Sequence, residues 1–167
     1  MPCYQLTDRF HVSADLDTTW RFFSTAENLT RITPAWLGFT MDMPTPVTIE
    51  ADTTLDYKIR WMGVPIRWRT KIIEWSPPRQ FIDLQVRGPY ALWHHQHTFT
   101  PGCEQGGGIE CFDRVIYRLP FGPIGTIAHG LTVRNQLLEI FRHRRKVIGE
   151  VLGGFRALQE DVRITPL

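Results

Sequence analysis

The sequence predicts an α+β fold in which one curved antiparallel sheet of six or seven strands wraps around a long C-terminal helix. Three observations predict it. Between Leu131 and Asp161, apolar residues recur at helical spacing. At about 100° per residue, Leu137, Phe141, Ile148, Val151 and Phe155 share one face, opposite Asn135, Glu139, Arg142, Lys146, Glu150 and Glu160. From Thr53 to Leu119 the chain alternates apolar and polar residues between Gly- and Pro-rich turns. Two short helical stretches stand between that run and the first strand.

In chain order, Tyr4, Leu6, Phe10 and Val12 alternate with Gln5, Thr7, Arg9 and His11 as a half-buried first strand. Ser13 and Asp15 are candidate N-caps for a short helix whose apolar side is Trp20, Phe22 and Phe23 and which ends near Ser24. A second short helix, near Glu27 to Ile32, is closed by Thr33-Pro34, because the residue before proline resists helical angles. Pro44-Thr45-Pro46 is a rigid connector. Leu55, Tyr57, Ile59 and Trp61 then face one side of a strand. Met62-Gly63-Val64-Pro65 is the hairpin turn, and Ile66, Trp68, Thr70 and Ile72 alternate beyond it with Arg67, Arg69 and Lys71. Ser76 to Arg79 is another turn. Phe81 to Arg87, Leu92 to Thr100 and Ile109 to Leu119 are the remaining strands, and Gly106-Gly107-Gly108 is a turn with no phosphate-loop context. In the last helix, Gly149 and Gly153-Gly154 each cost about 1 kcal/mol relative to alanine, so a bend is expected there. If unbroken, that helix is roughly 45 Å long, and only the sheet is broad enough to cover its apolar stripe.

The 167 residues are expected to form one domain, residues 1–167, with a core that needs no staples. A net charge of +2 points to neither nucleic acid nor a membrane surface. No segment has the roughly 20 apolar residues of a membrane span, and the N-terminus lacks a signal peptide's pattern. Cys3, Cys103 and Cys111 are odd in number and lack CxxC spacing, which fits unused thiols in a reducing cytoplasm. With 10 Phe and 6 Trp, the aromatic side chains must line a core or a pocket.

Particular stretches carry a family resemblance. They are Glu27-Asn28-Leu29 with Ile32-Thr33-Pro34, Gly88-Pro89-Tyr90, Trp93 to Phe99, Asp113 to Tyr117, Leu119 to Gly122, and Ile140 to Arg144. Together with the order of elements they resemble the START-like superfamily (SRPBCC, polyketide cyclase/dehydrase and lipid-transport proteins), and within it bacterial ligand-binding proteins. The resemblance implies the helix-grip fold and a small hydrophobic or amphipathic ligand (lipid, polyketide or quinone-like) held between sheet and C-terminal helix. It also implies an alternative, a cyclase- or hydratase-like enzyme, and more remotely a protein-interaction module, which would need a large exposed apolar patch outside the cavity. Fold alone does not choose among them.

The cavity lining is expected to draw on Tyr57, Trp68, Leu84, Trp93, Phe99, Phe141, Arg144 and Ile148. His95 and His97 share a strand face with Trp93 and Phe99. They read as hydrogen-bonded packing residues, as acid–base catalysts, or as metal ligands. A metal needs further ligands, and the sequence shows only Asp113 as one, so neither metal nor cofactor is expected. Asp113 is either a paired structural carboxylate or, with Tyr117 on the same face, a proton-handling group. The run Arg142 to Lys146 is dispersed by helical geometry, with Arg144 inward and Arg145 at the rim. For Arg144 three arrangements are open: a stem along the apolar face with its head in water, a pair with a buried acid, or a contact to a ligand's acidic or carbonyl group. The expected one is an inward Arg144 held by Asp113 or another acid and available to a ligand.

Overall fold

The computed structural model describes residues 2–61, 63–102, 107–158 and 161–167. The expectations for Met62, Cys103, Gly106 and Glu160 lie outside the described residues. The chain opens with β1 (Tyr4–Val12), α1 (Leu16–Phe23), α2 (Asn28–Ile32) and a tight turn at Ala35–Leu37. Asp15 caps α1 by accepting a hydrogen bond from the Thr18 N–H at 2.7 Å. Strands β2 (Thr40–Met41), β3 (Thr54–Trp61), β4 (Val64–Ser76), β5 (Gln80–Arg87), β6 (Leu92–Pro101) and β7 (Ile109–Arg118) follow. Then come α3 (Gly122–Ala128), a wider π-type turn (His129–Val133), α4 (Arg134–Leu152), β8 (Arg156–Ala157) and β9 (Arg163–Pro166). The sheet runs β2-β3-β4-β5-β6-β7-β1-β8, antiparallel throughout, with β9 also paired to β1. This is the helix-grip α+β fold.

Each long strand follows from its period of two. Alternate residues of β6 and β7 are buried, and the next ones are half-buried. The β4–β5 pairing shifts register between Arg69 and Thr70 and again between Ile72 and Glu74, irregularities of the β-bulge kind, which bend a strand and increase its twist. The sheet therefore curves around α4, whose Leu137, Leu138, Phe141, Ile148 and Leu152 are buried against it. Among the described residues, no helix is long and apolar enough to cross a membrane.

The last helix departs from the expected Leu131–Asp161 at both ends. Helical structure begins at Gly122 and stops at Leu152. Gly153 sits at φ +75°, an angle that costs a residue with a Cβ, and its N–H closes the helix onto the Gly149 carbonyl at 2.9 Å. The chain then folds back, and a Cβ added at Gly149 would lie 2.4 Å from the Phe155 Cβ. Phe155 is thus outside the helix, with its ring 5.9 Å from that of Phe10, and Arg156–Ala157 and Arg163–Pro166 pair with β1 instead of continuing the helix. Val151 is 39% exposed, not part of the buried stripe. The apolar spacing was sound up to Ile148, and a β-pairing partner won beyond it.

This placement separates two residues of the sequence stripe. Ile148 has no exposure, so Ile148→Ala is expected to cost about 2–5 kcal/mol. Val151→Ala should stay near 0.5 kcal/mol. Urea unfolding of the two variants measures the difference, and equal losses would contradict the observed helix face.

Candidate functional site

The strand register decides which polar groups meet. Residues opposite one another in an antiparallel pair share a face. One row across the sheet is Phe81, His97, Asp113 and Asp8; the next is Asp83, His95, Val115 and Leu6. Two histidines and three carboxylates are therefore gathered on the inner face of an aromatic sheet. Asp113 is 3% exposed, and His95 and His97 are 4% each.

Their contacts form a closed cluster. Asp83 Oδ2 lies 3.2 Å from His97 Nε2 and 3.5 Å from His95 Nδ1. Behind the rings, Asp113 Oδ1 accepts a hydrogen bond from His95 Nε2 at 3.3 Å. The same oxygen is 2.7 Å from His97 Nδ1 but too far off the ring's N–H direction for a hydrogen bond, so that contact is electrostatic. The two imidazoles stand 3.8 Å apart, and Phe81 stacks on His97 at 4.3 Å.

Burial pushes the Asp113 carboxyl up, but the charge of His97 and the hydrogen bond from His95 outweigh it and hold Asp113 well below the usual range. Burial also raises Asp83, and His95, His97 and then Arg144 bring it below its ordinary value. Burial and the neighbouring His97 push His95 down against both carboxylates. For His97, burial is overcome by Asp113 and Asp83, and the group is raised.

A cavity of about 740 Å³ lies between α4 and the inner faces of β3 to β6, closed by residues of α1, α2 and α3. Its charged or imidazole side chains are Asp83, His95, His97 and Arg144; most other lining residues are apolar or aromatic. Of the expected lining, Tyr57, Trp68, Trp93, Phe141 and Arg144 reach the cavity. Leu84 does not, because it alternates with Asp83 and so points to the other face of β5. Phe99 and Ile148 are fully packed in a neighbouring cluster with Phe10, Phe23 and Leu152. Asp113 lies behind the imidazoles, outside the cavity. Tyr117 is also outside it, 2.7 Å from His129 Nε2 through its hydroxyl.

Arg144 faces inward as expected, but Asp113 is not its partner, because the imidazoles already occupy that carboxylate. No carboxylate of a described residue lies within ion-pairing distance of Arg144; its buried Nε has no hydrogen-bond partner, and its guanidinium lies 5.3 Å over the Phe141 ring. The residue that sequence reasoning missed is Asp83. Its signal was the turn at Gly88-Pro89: a hairpin centred on Pro89 sets Asp83 directly opposite His95.

Next along the row, Asp8 is 1% exposed and pairs with Arg145 at 3.3 Å. Burial, then the charge of Asp113, push Asp8 up to about 7 against the pull of Arg145. Cys111 is a free buried thiol, raised well above its ordinary value by burial. Phe121, Ile124, Ile127 and Leu131 are exposed along the start of the helical run. Phe121 and Ile124 also line the cavity, so this apolar patch adjoins its rim.

The position of Asp8 predicts a pH effect. Between its unfolded value of 3.8 and its folded value of about 7, the unfolded chain has lost this proton and the folded chain keeps it. Stability therefore falls as pH rises through that window, by up to about 1.4 kcal/mol per pH unit from this group. Asp8→Asn should gain on the wild type between about pH 5 and about pH 7. Urea unfolding at both values tests it, and a constant difference between the proteins would refute it.

No family model matches the chain, and no curated protein matches it in sequence. Solved structures do match. Protein TTHA0849 of Thermus thermophilus is similar with a TM-score of 0.68 at 17% identity, over 89% of this chain and 96% of that one. A START superfamily protein from Mycobacterium smegmatis gives 0.65 at 12%, over 89% and 97%. The di-domain aromatase/cyclase StfQ of the steffimycin biosynthetic pathway gives 0.67 at 15%, over 90% of this chain and 51% of that chain. At these identities the likeness is one of fold, and the fold is START-like.

Proposed function

We propose that this protein binds a small amphipathic molecule whose apolar body fills the aromatic cavity and whose acidic or carbonyl end meets Arg144. The observation that carries this reading is Arg144 itself. A guanidinium keeps its charge in a protein, and burying it without a partner is costly. Here it is directed into the cavity with its Nε unpartnered, so a ligand's oxygens supply what the chain does not. The cavity volume of about 740 Å³ falls within the roughly 300–1,000 Å³ of small-molecule sites. Walls such as Trp68, Trp93, Tyr57 and Phe141 favour a flat or ring-containing body. The fold shared with a START superfamily protein and an aromatase/cyclase supports the same class of ligand.

A second reading, a cyclase- or hydratase-like enzyme, is favoured by one observation: two imidazoles and a carboxylate reach the cavity together. Native mass spectrometry of the freshly purified protein identifies any co-purified molecule, and its chemical change on incubation would decide for the enzyme.

Arg144→Met tests the first reading. Among the described residues no carboxylate is ion-paired with Arg144, and Asp83 keeps both imidazoles, so the loss of unfolding free energy should stay short of the roughly 3–5 kcal/mol for breaking a buried pair. Affinity for pyrenebutyric acid should fall about tenfold to a hundredfold, since a hydrogen bond to a charged group contributes roughly 1.5–3 kcal/mol. Affinity for butylpyrene should not change. Equal affinity of wild type and variant for the acid, read by pyrene fluorescence, would exclude Arg144 as the polar anchor.

A further inference from the structure

We propose that Asp83, His95 and His97 form a binding site for a divalent first-row transition ion, such as Fe(II) or Zn(II), on the wall of the cavity. The three residues each offer a ligand atom, and these atoms lie within 4.8 Å of one another. Asp83 Oδ2 is 3.2 Å from His97 Nε2 and 3.5 Å from His95 Nδ1. Donors bound to one ion at about 2.0–2.2 Å stand roughly 3.0–3.5 Å from each other, so these two edges already have the spacing of a coordination shell.

The second argument is the orientation of the rings. Each imidazole turns one nitrogen toward Asp83 and its other nitrogen toward Asp113 Oδ1, at 3.3 Å for His95 and 2.7 Å for His97. Metal-bound histidines almost always have their second nitrogen held by a carboxylate, carbonyl or water, which sets the tautomer and raises ligand basicity. Asp113 occupies that place for His95 through a hydrogen bond and stands in electrostatic contact with the second nitrogen of His97, behind the site and outside the cavity.

The third argument is access. Asp83, His95 and His97 all line the cavity, so one side of the ion would be open to whatever the cavity holds. Two nitrogens, one carboxylate and open positions make the donor set of non-haem Fe(II) and catalytic Zn(II) sites. No thiolate is near enough to favour a softer ion among the described residues. The sequence offered only Asp113 as a further ligand, too few for a metal; the structure places Asp113 behind the rings, and the β5–β6 register brings Asp83 to their open side.

The test needs no organic ligand, so its failure leaves the ligand reading of the cavity standing, and failure of that reading leaves this one. Protein made without a polyhistidine tag is stripped with a chelator and titrated with Co(II), then with Zn(II), by visible absorption and calorimetry. The expected result is one ion per chain, with the absorption of a nitrogen- and oxygen-ligated Co(II). Asp83→Asn, nearly the same shape, should weaken binding on the order of a hundredfold or more. Asp113→Asn should weaken it roughly 10–100-fold, the usual effect of losing such a supporting carboxylate. His94→Ala changes the other face of β6 and should leave binding unaltered. Circular dichroism confirms that each variant is folded, and His97→Gln replaces any that is not. Absence of stoichiometric binding by the wild type, or binding that survives Asp83→Asn, overturns the proposal.

Discussion

Two carboxylates, Asp83 and Asp113, sit on the inner face of a sheet otherwise faced with aromatic and aliphatic side chains, and the rest of the site is arranged around their charge. An isolated ionised carboxylate in such surroundings is too costly to keep, and among the described residues no lysine or arginine pairs with either one. The imidazoles of His95 and His97 answer instead, interleaved between the two acids. This works only because the β5–β6–β7 register puts Asp83 opposite His95 and His97 opposite Asp113. A slip of one residue in either hairpin would turn one strand's members of the cluster to the other face. Register and charge therefore specify each other: the fold assembles the cluster, and the cluster penalises alternative pairings.

The same row explains why the C-terminal helix can carry two arginines side by side with different fates. Arg144 and Arg145 are neighbours in sequence, but about 100° of helical rotation separates their directions. Arg145 reaches Asp8 on β1 and, beyond the helix, Asp161. Arg144 points into the cavity toward the Asp83 side and finds no carboxylate of a described residue close enough to pair. One helical position thus divides a structural ion pair from a cation left for something else to meet.

Most of the architecture was legible because it rests on local periodicity. Alternation in Leu55 to Trp61, Trp93 to Phe99 and Ile109 to Tyr117 is a strand signal that tertiary packing reinforces. Asp15 as a cap and Thr33-Pro34 as a stop are likewise local. What the pattern missed were contacts between distant segments. Arg156–Ala157 and Arg163–Pro166 have no strong strand signal and exist because β1 offers them an edge. The extra helical turns before Leu131 carry Phe121, Ile124 and Ile127 in the open, so no buried stripe announced them. In the site, His95, His97 and an inward Arg144 could be read from spacing. Asp83 could not be read from its own strand, where it is one acid among apolar neighbours; it required counting across the turn at Pro89. The pairing of Arg144 with Asp113 failed for the same reason, since nothing local shows that two imidazoles reach Asp113 first.

Charge balance joins the cavity's two open features. Asp83 and Asp113 answer to two imidazoles and, for Asp83, to the Arg144 cation as well, so the charges of this wall lean on one another. An acid that brings its negative charge to Arg144 upsets that balance inside a low-dielectric space, where an uncompensated charge is expensive. Compensation has to arrive with it, as a proton or as a cation held by the same side chains. A divalent ion held by Asp83, His95 and His97 would bring positive charge to the same wall. Ion and acid would then each bind more tightly in the presence of the other, by the same factor, because coupling between two equilibria is reciprocal. An apolar molecule without an acidic end would show no such coupling. The separation between Arg144 and the Asp83–His95–His97 cluster thus becomes a physical parameter of the site: it decides whether the ligand's charge is felt at both places or only at the guanidinium.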